Sequence, residues 1–180
     1  MNQLMQGNKA LMIVFGLLLL MGCSGQHIDD YSDTSPDFDV ISFFSGDLEV
    51  KGVVMNRSGE VTRRFSVKML GSVEDNTLTL EEWFIFDDGE QSKRTWIITR
   101  NSDGHYSGTA NDIVGRAKGQ QKGMALHWDY EMDLTVDNNM YRVVFDDWLY
   151  RIDENNVINR SVIKKWGFDV GEVILSIRKI

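Results

Sequence analysis

The sequence predicts an all-β protein, a closed antiparallel up-and-down barrel of about eight to ten strands preceded by a short helix. Three observations carry that expectation. From Met124 to Val136, apolar or aromatic residues alternate without a break with Ala125, His127, Asp129, Glu131, Asp133 and Thr135. Successive strand side chains point to opposite faces, so this is a long strand with one face in a core and one in water. Strand-like runs then recur at regular spacing with Gly, Asn and Asp between them. Finally, 180 residues contain one proline, which suits long uninterrupted strands.

Taken in order, the chain opens with an address. Lys9 precedes an apolar run from Ala10 to Met21, interrupted only by Gly16 and ending Leu20-Met21-Gly22-Cys23. The run is short for a bilayer span and suits a signal-peptide core. The ending resembles a bacterial lipobox. That resemblance implies cleavage after Gly22 (residues 1–22 a lipoprotein signal peptide), lipidation of Cys23, and, with Ser24 next, sorting to the outer membrane. Several acyl chains hold a protein on a membrane where one binds reversibly. Residues 23–36 have little to bury and read as the lipidated cysteine and a flexible tether. The barrel domain spans residues 37–180.

Pro36-Asp37 can start a short helix with Phe38, Ile41, Phe43 and Phe44 as its apolar side and Gly46 as its stop. Strand-like segments follow at 48–55, 61–70, 78–86, 94–100, 106–114, 124–136, 141–152, 157–165 and 170–180. Gly119 and Gly123 bracket a turn before Met124. Closure into a barrel removes exposed edges, and a two-sheet sandwich is the alternative. A barrel of about eight strands holds packed side chains or one small ligand.

The helix ending in Phe-x-Gly before a first strand looks like the opening of lipocalin-like barrels, although Leu48 stands where those barrels often carry tryptophan. Further on come Glu82-x-Phe84-x-Phe86-Asp87-Asp88-Gly89 with Arg94-x-Trp96, then Gly108-x-Ala110-x-Asp112-x-x-Gly115-x-Ala117, then Asp146-Asp147-Trp148-x-Tyr150. Together these resemble an uncharacterised family of Gram-negative lipoproteins, a domain of unknown function. The resemblance runs from about Phe38 to Lys179, implies a lipocalin-like barrel, and brings no catalytic residues.

The net charge is -8, which argues against nucleic acid or an anionic membrane surface as a direct partner. A single cysteine excludes an intramolecular disulfide. No metal or cofactor is expected: the histidines show no ligand spacing, and no serine sits in a nucleophile elbow. The expectation is a protein without enzymatic activity.

The polar residues of interest are Glu82, Arg94 and Asp147. Asp87-Asp88-Gly89 suits a three-residue hairpin loop, which places Glu82 opposite Arg94 and Leu80 opposite Trp96. The pair lies on a face otherwise made of Leu78, Leu80, Phe84, Phe86, Trp96 and Ile98, either as a structural ion pair or as an anchor for a ligand head group. If Asn138-Asn139 is a two-residue turn, Tyr130 faces Asp147 and Trp128 faces Leu149. Asp147 is then an inward acid bonded to Tyr130 or to a nearby cation, while Asp146 points outward.

Glu82, Arg94, Trp96, Trp128, Tyr130 and Asp147 are therefore the candidate site for a small apolar or amphiphilic ligand. The competing expectation is a cell-envelope interaction module with a filled barrel. A continuous apolar cavity of a few hundred Å³ favours the first and a filled interior the second.

Overall fold

The computed structural model describes residues 25–102, 104–136 and 139–180. The signal stretch and Cys23 lie outside the described residues. Ten strands follow one another in an up-and-down order: β1 (Gly46–Asn56), β2 (Val61–Glu74), β3 (Thr77–Phe86), β4 (Gln91–Arg100), β5 (His105–Ala110), β6 (Ile113–Lys122), β7 (Ala125–Val136), β8 (Asn139–Arg151), β9 (Asn156–Lys165) and β10 (Phe168–Lys179). Each pairs antiparallel with its neighbours in sequence, and β1 pairs with β10, so the sheet closes on itself. Closure leaves no free strand edge, and the sandwich alternative is excluded. Every described strand, the closing ladder and the end plug lie within residues 26–180.

β7 behaves as its alternation requires. Leu126, Trp128, Tyr130 and Met132 are buried inside, and Asp129 and Glu131 are exposed. The β3–β4 loop also forms as expected: Phe86 N–H donates to the Glu90 carbonyl at 2.9 Å and Gly89 N–H to the Phe86 carbonyl at 3.1 Å. Gly89 adopts φ +87°, a conformation that glycine reaches without Cβ strain. Glu82 accordingly pairs with Arg94 in the ladder, and Leu80 with Trp96.

Four expectations need correction. The 106–114 segment is most of β5 together with the start of β6, and β6 runs on to Lys122 through residues expected to form a turn. Its inner face holds Ala117 and Gly119, small because Trp128 fills that space from β7. A Cβ at Gly119 would lie 2.3 Å from the Trp128 ring, and one at Gly108 of β5 would lie 2.9 Å from it. An apolar alternation cannot appear where a neighbouring strand supplies the core volume.

The β7–β8 register is the second. Val136 pairs with Asn139, so Trp128 faces Asp147 and Tyr130 faces Phe145. Asn139 therefore lies in the ladder and not in the turn expected at Asn138-Asn139. The shift is two residues, so Asp147 keeps its inward face.

Third, the helix is shorter than the apolar pattern suggests. It is α1 (Val40–Phe43), capped by Asp39, whose carboxylate accepts from Ser42 N–H at 3.0 Å. Asx capping satisfies a free helix donor, and that fixes the start at Val40. Phe38, Phe43 and Phe44 pack edge-on or tilted on one another and close one end of the barrel.

Fourth, the stretch expected to be a tether lies on the barrel. Ile28–Tyr31 form a 3₁₀ turn, and the Tyr31 ring packs against Trp148 and Tyr150 with centroids 5.9 and 5.8 Å away. Thr34 Oγ1 accepts from Met124 N–H at 3.0 Å. This cover explains why Trp148, on the outer face of β8, is buried.

Candidate functional site

The plugged end gathers the β2–β3, β4–β5, β6–β7 and β8–β9 turns. Phe38 N–H donates to the Gly123 carbonyl at 2.8 Å, Arg151 Nη1 to the Asp37 carbonyl at 2.7 Å, and Arg100 pairs with Asp39. The opposite end has no such plug among the described residues. From it a cavity of about 470 Å³ runs into the barrel.

The cavity wall is mostly apolar. Leu80, Phe84, Trp96, Leu126, Trp128 and Met132 lie along it, and Val40 of the helix and Phe44 after it line it from the plugged end. Trp96 meets Trp128 and Tyr130 edge-on at 5.6 and 5.3 Å, and Tyr130 stacks on Phe145 at 5.1 Å. Phe65, Phe84 and Phe86 form a second aromatic group nearer the mouth. Arg63 lies over Phe86 at 3.6 Å while its Nη2 is bound by Asp88 and Glu90 at 2.7 and 2.6 Å. This pins a rim phenylalanine between a cation and the wall.

Among the polar side chains of the wall are Glu82, Arg94 and Asp147, which the sequence singled out, and Asn159 and Ser161 of β9, which it did not. The expected contact between Glu82 and Arg94 is not the one that forms. Arg94 Nε donates to both carboxylate oxygens of Asp112, at 2.9 and 2.8 Å. Its Nη2 approaches Met132 Sδ at 3.8 Å. The reason is positional: β4 pairs Trp96 with Ala110, so the position two further along that ladder, flanking Arg94, is Asp112. Glu82 flanks it on the other side. The guanidinium takes the carboxylate at the open hairpin and interacts with Glu82 through space only.

Glu82 is 6% exposed. Burial pushes its carboxyl up to about 7; Arg94 opposes this, while Asp112 and Asp147 add to it. Asp147 is likewise pushed up to about 7 by burial, against the pull of the Ser161 hydroxyl and Arg94. Nearby tyrosine Tyr130 is raised well above its ordinary value, again by burial first and then by Asp147. Arg94 is raised despite its burial, by Tyr130, Glu82 and Asp112. Desolvation disfavours every charged form, so a carboxyl that stays in such a wall shifts toward neutrality.

Asp147 is not bonded to Tyr130 or to a cation, as the sequence suggested. It faces Trp128 on one side and Ser161 on the other. Ser161 Oγ donates to Asn159 Oδ1 at 3.2 Å, and Asn159 Nδ2 to the Trp148 carbonyl at 3.2 Å. Asp147 Oδ1 is buried with no hydrogen-bond partner among the described residues.

Asp146, on the outer face, meets His127 Nε2 at 2.8 Å and also pairs with Lys164. Asp129 lies 3.5 Å from the same histidine nitrogen. Three strands bring these groups together, which spacing along one chain segment does not reveal. Lys164 already supplies the positive charge there.

Residues 17–179 match the family described as a protein of unknown function, DUF3833. The chain belongs to that family. No curated protein matches it by sequence. Among solved structures, the S-type phycobiliprotein lyase CPES from Guillardia theta is similar, with a TM-score of 0.55 at 10% identity over 87% of this chain and 99% of that one. At that identity the likeness is one of fold. The DUF3833 chain is thus a lipocalin-like, closed antiparallel barrel with a cavity open at one end.

Proposed function

We propose that this DUF3833 protein binds a small, largely apolar molecule in its barrel and acts as a carrier or sensor rather than an enzyme. The observation that carries the reading is the cavity of about 470 Å³. Sites for small molecules are concave, mostly apolar, of roughly 300–1,000 Å³, with a few fixed polar groups. Here the few are Glu82, Arg94 and Asp147 with Asn159 and Ser161. A filled barrel, the structural-module alternative, would have placed side chains in that volume. The structural neighbour, a phycobiliprotein lyase, is compatible with a small ligand in a barrel of this shape.

The Leu20-Met21-Gly22-Cys23 ending supports an outer-membrane address, with the protein held by a lipid on Cys23 and facing the periplasm. Gln26 Nε2 donates to Tyr150 Oη at 2.6 Å beside the plugged end, so an anchor on Cys23 would put that end toward the membrane and the mouth away from it.

Trp96 and Trp128 line the cavity, so tryptophan fluorescence reads its occupancy. Titrating residues 25–180 with alkyl amphiphiles of several chain lengths should give a saturable change. If none produces one, the binding reading is wrong.

A further inference from the structure

The polar groups of the cavity also say which end group its ligand carries. Among the described lining residues the cations are Arg63 and Arg94; Arg94 is held by Asp112, and Arg63, at the mouth, is held through Nη2 by Asp88 and Glu90, with its Nε left without a partner. Around Arg94 stand Glu82 from β3, Tyr130 from β7 and Asp147 from β8, which line the cavity, and Asp112 after β5, which is exposed at its edge. A carboxylate or phosphate placed there would meet three carboxyl groups for one guanidinium. Asp147, by contrast, lines the cavity and is 8% exposed, and its Oδ1 receives no hydrogen bond from the described residues, because the neighbouring Ser161 hydroxyl is given to Asn159. A buried acceptor left without a partner costs about 1–3 kcal/mol, and a ligand that supplies the donor relieves that cost.

We infer that the ligand is an amphiphile with a hydrogen-bond-donating end, a hydroxyl or an amine, whose donor binds Asp147 Oδ1 while its apolar body lies along Leu126, Trp128 and Trp96. This deepens the binding reading above and rests on it. It also reverses the simpler expectation that Arg94 would receive an anionic head group, because Asp112 already holds that guanidinium. An ammonium entering the site would additionally hold Asp147 ionised, whereas a hydroxyl needs only the acceptor oxygen.

The test compares dodecylamine, dodecanol and dodecanoate on residues 25–180, below their aggregation limits, by tryptophan fluorescence. The amine and the alcohol should bind at least tenfold more tightly than the carboxylate. Asp147→Asn keeps an acceptor oxygen and removes the charge, so it should weaken the amine tenfold or more and leave the alcohol within about threefold. Asp147→Val should weaken both. Thermal melts of each variant confirm folding, and removal of a buried, unsatisfied carboxyl should not lower stability. Dodecanoate binding as tightly as the other two, or both valine and asparagine variants binding all three like wild type, overturns the inference while leaving the binding reading intact. Absence of binding by all three overturns both.

Discussion

Arg94 of the cavity wall forms an ion pair with Asp112, with Arg94 Nε between the two carboxylate oxygens at 2.9 and 2.8 Å. It joins β4 to the β5–β6 hairpin at the mouth, and it leaves Glu82, across the other ladder, without a direct ion pair. The carboxylate of Asp112 is partly exposed. Its coupling to Arg94 should therefore fall between the ~1 kcal/mol of exposed pairs and the ~3–5 kcal/mol lost on breaking buried ones. Double-mutant cycles with Arg94→Ala should give a larger coupling to Asp112→Ala than to Glu82→Ala. The reverse order would mean that the guanidinium turns to Glu82 in solution.

Stability should depend on pH in a direction opposite to ordinary acid denaturation. Glu82 and Asp147 are raised to about 7 in the fold, above the unfolded values near 4, so the folded chain holds protons that the unfolded chain has released. Their contribution is fully present below pH 4 and is lost as pH rises through 7. Carboxyls lowered by ion pairs, such as Asp87 and Asp88, act in the other direction only at lower pH. The melting temperature should thus fall between pH 5 and pH 8. Glu82→Gln should flatten that fall, removing a dependence on the order of 3 kcal/mol at 1.36 kcal/mol per pKa unit. A melting temperature independent of pH over this range in wild type would contradict the burial of both acids.

The glycines beside Trp128 are a packing requirement. Gly119→Ala places a Cβ 2.3 Å from the indole, and overpacking of this kind costs about 1–3 kcal/mol. The ring must then move into the cavity. Denaturant melts should show the loss, and the shift of Trp128 should alter the emission of the native state. Gly59→Ala, where a Cβ meets nothing within 4 Å, controls for contact, though its φ of +81° carries backbone strain of its own.

The plug depends on Asp39. It caps α1 through Ser42 and binds Arg100 of β4. Burial works to raise its carboxyl, but these partners outweigh that and hold it below its usual value. Asp39→Ala removes the cap and the pair together and should cost about 1–2 kcal/mol. Hydrogen exchange should rise first in residues 38–44; protection unchanged there would show that the phenylalanines hold the plug alone.

The address is tested separately. Cys23→Ser should abolish labelling by a palmitate analogue in cells and leave the precursor uncleaved. Equal labelling of the variant and wild type would remove the lipid anchor from the proposal without touching the barrel.

The alternation along β7 and the Asp87-Asp88-Gly89 loop by themselves determined the all-β class, the inward face of the longest strand and the Glu82–Arg94 register. Both are local: strand faces follow a period of two, and a short loop fixes its own hairpin. Other features depended on neighbours distant in sequence. β6 was illegible because Ala117 and Gly119 are small to admit Trp128 from the adjacent strand. Asp112 was illegible as the partner of Arg94 because it reaches that guanidinium across the β4–β5 ladder, from a hairpin whose position the glycines on either side obscured. The packing of residues 26–34 over Trp148 was hidden because polar, turn-rich sequence reads alike whether it crosses solvent or lies on a wall. Whether inward aromatic residues fill a barrel or surround a cavity is a matter of total volume against the circumference set by ten closed strands, and only the tertiary structure decided it.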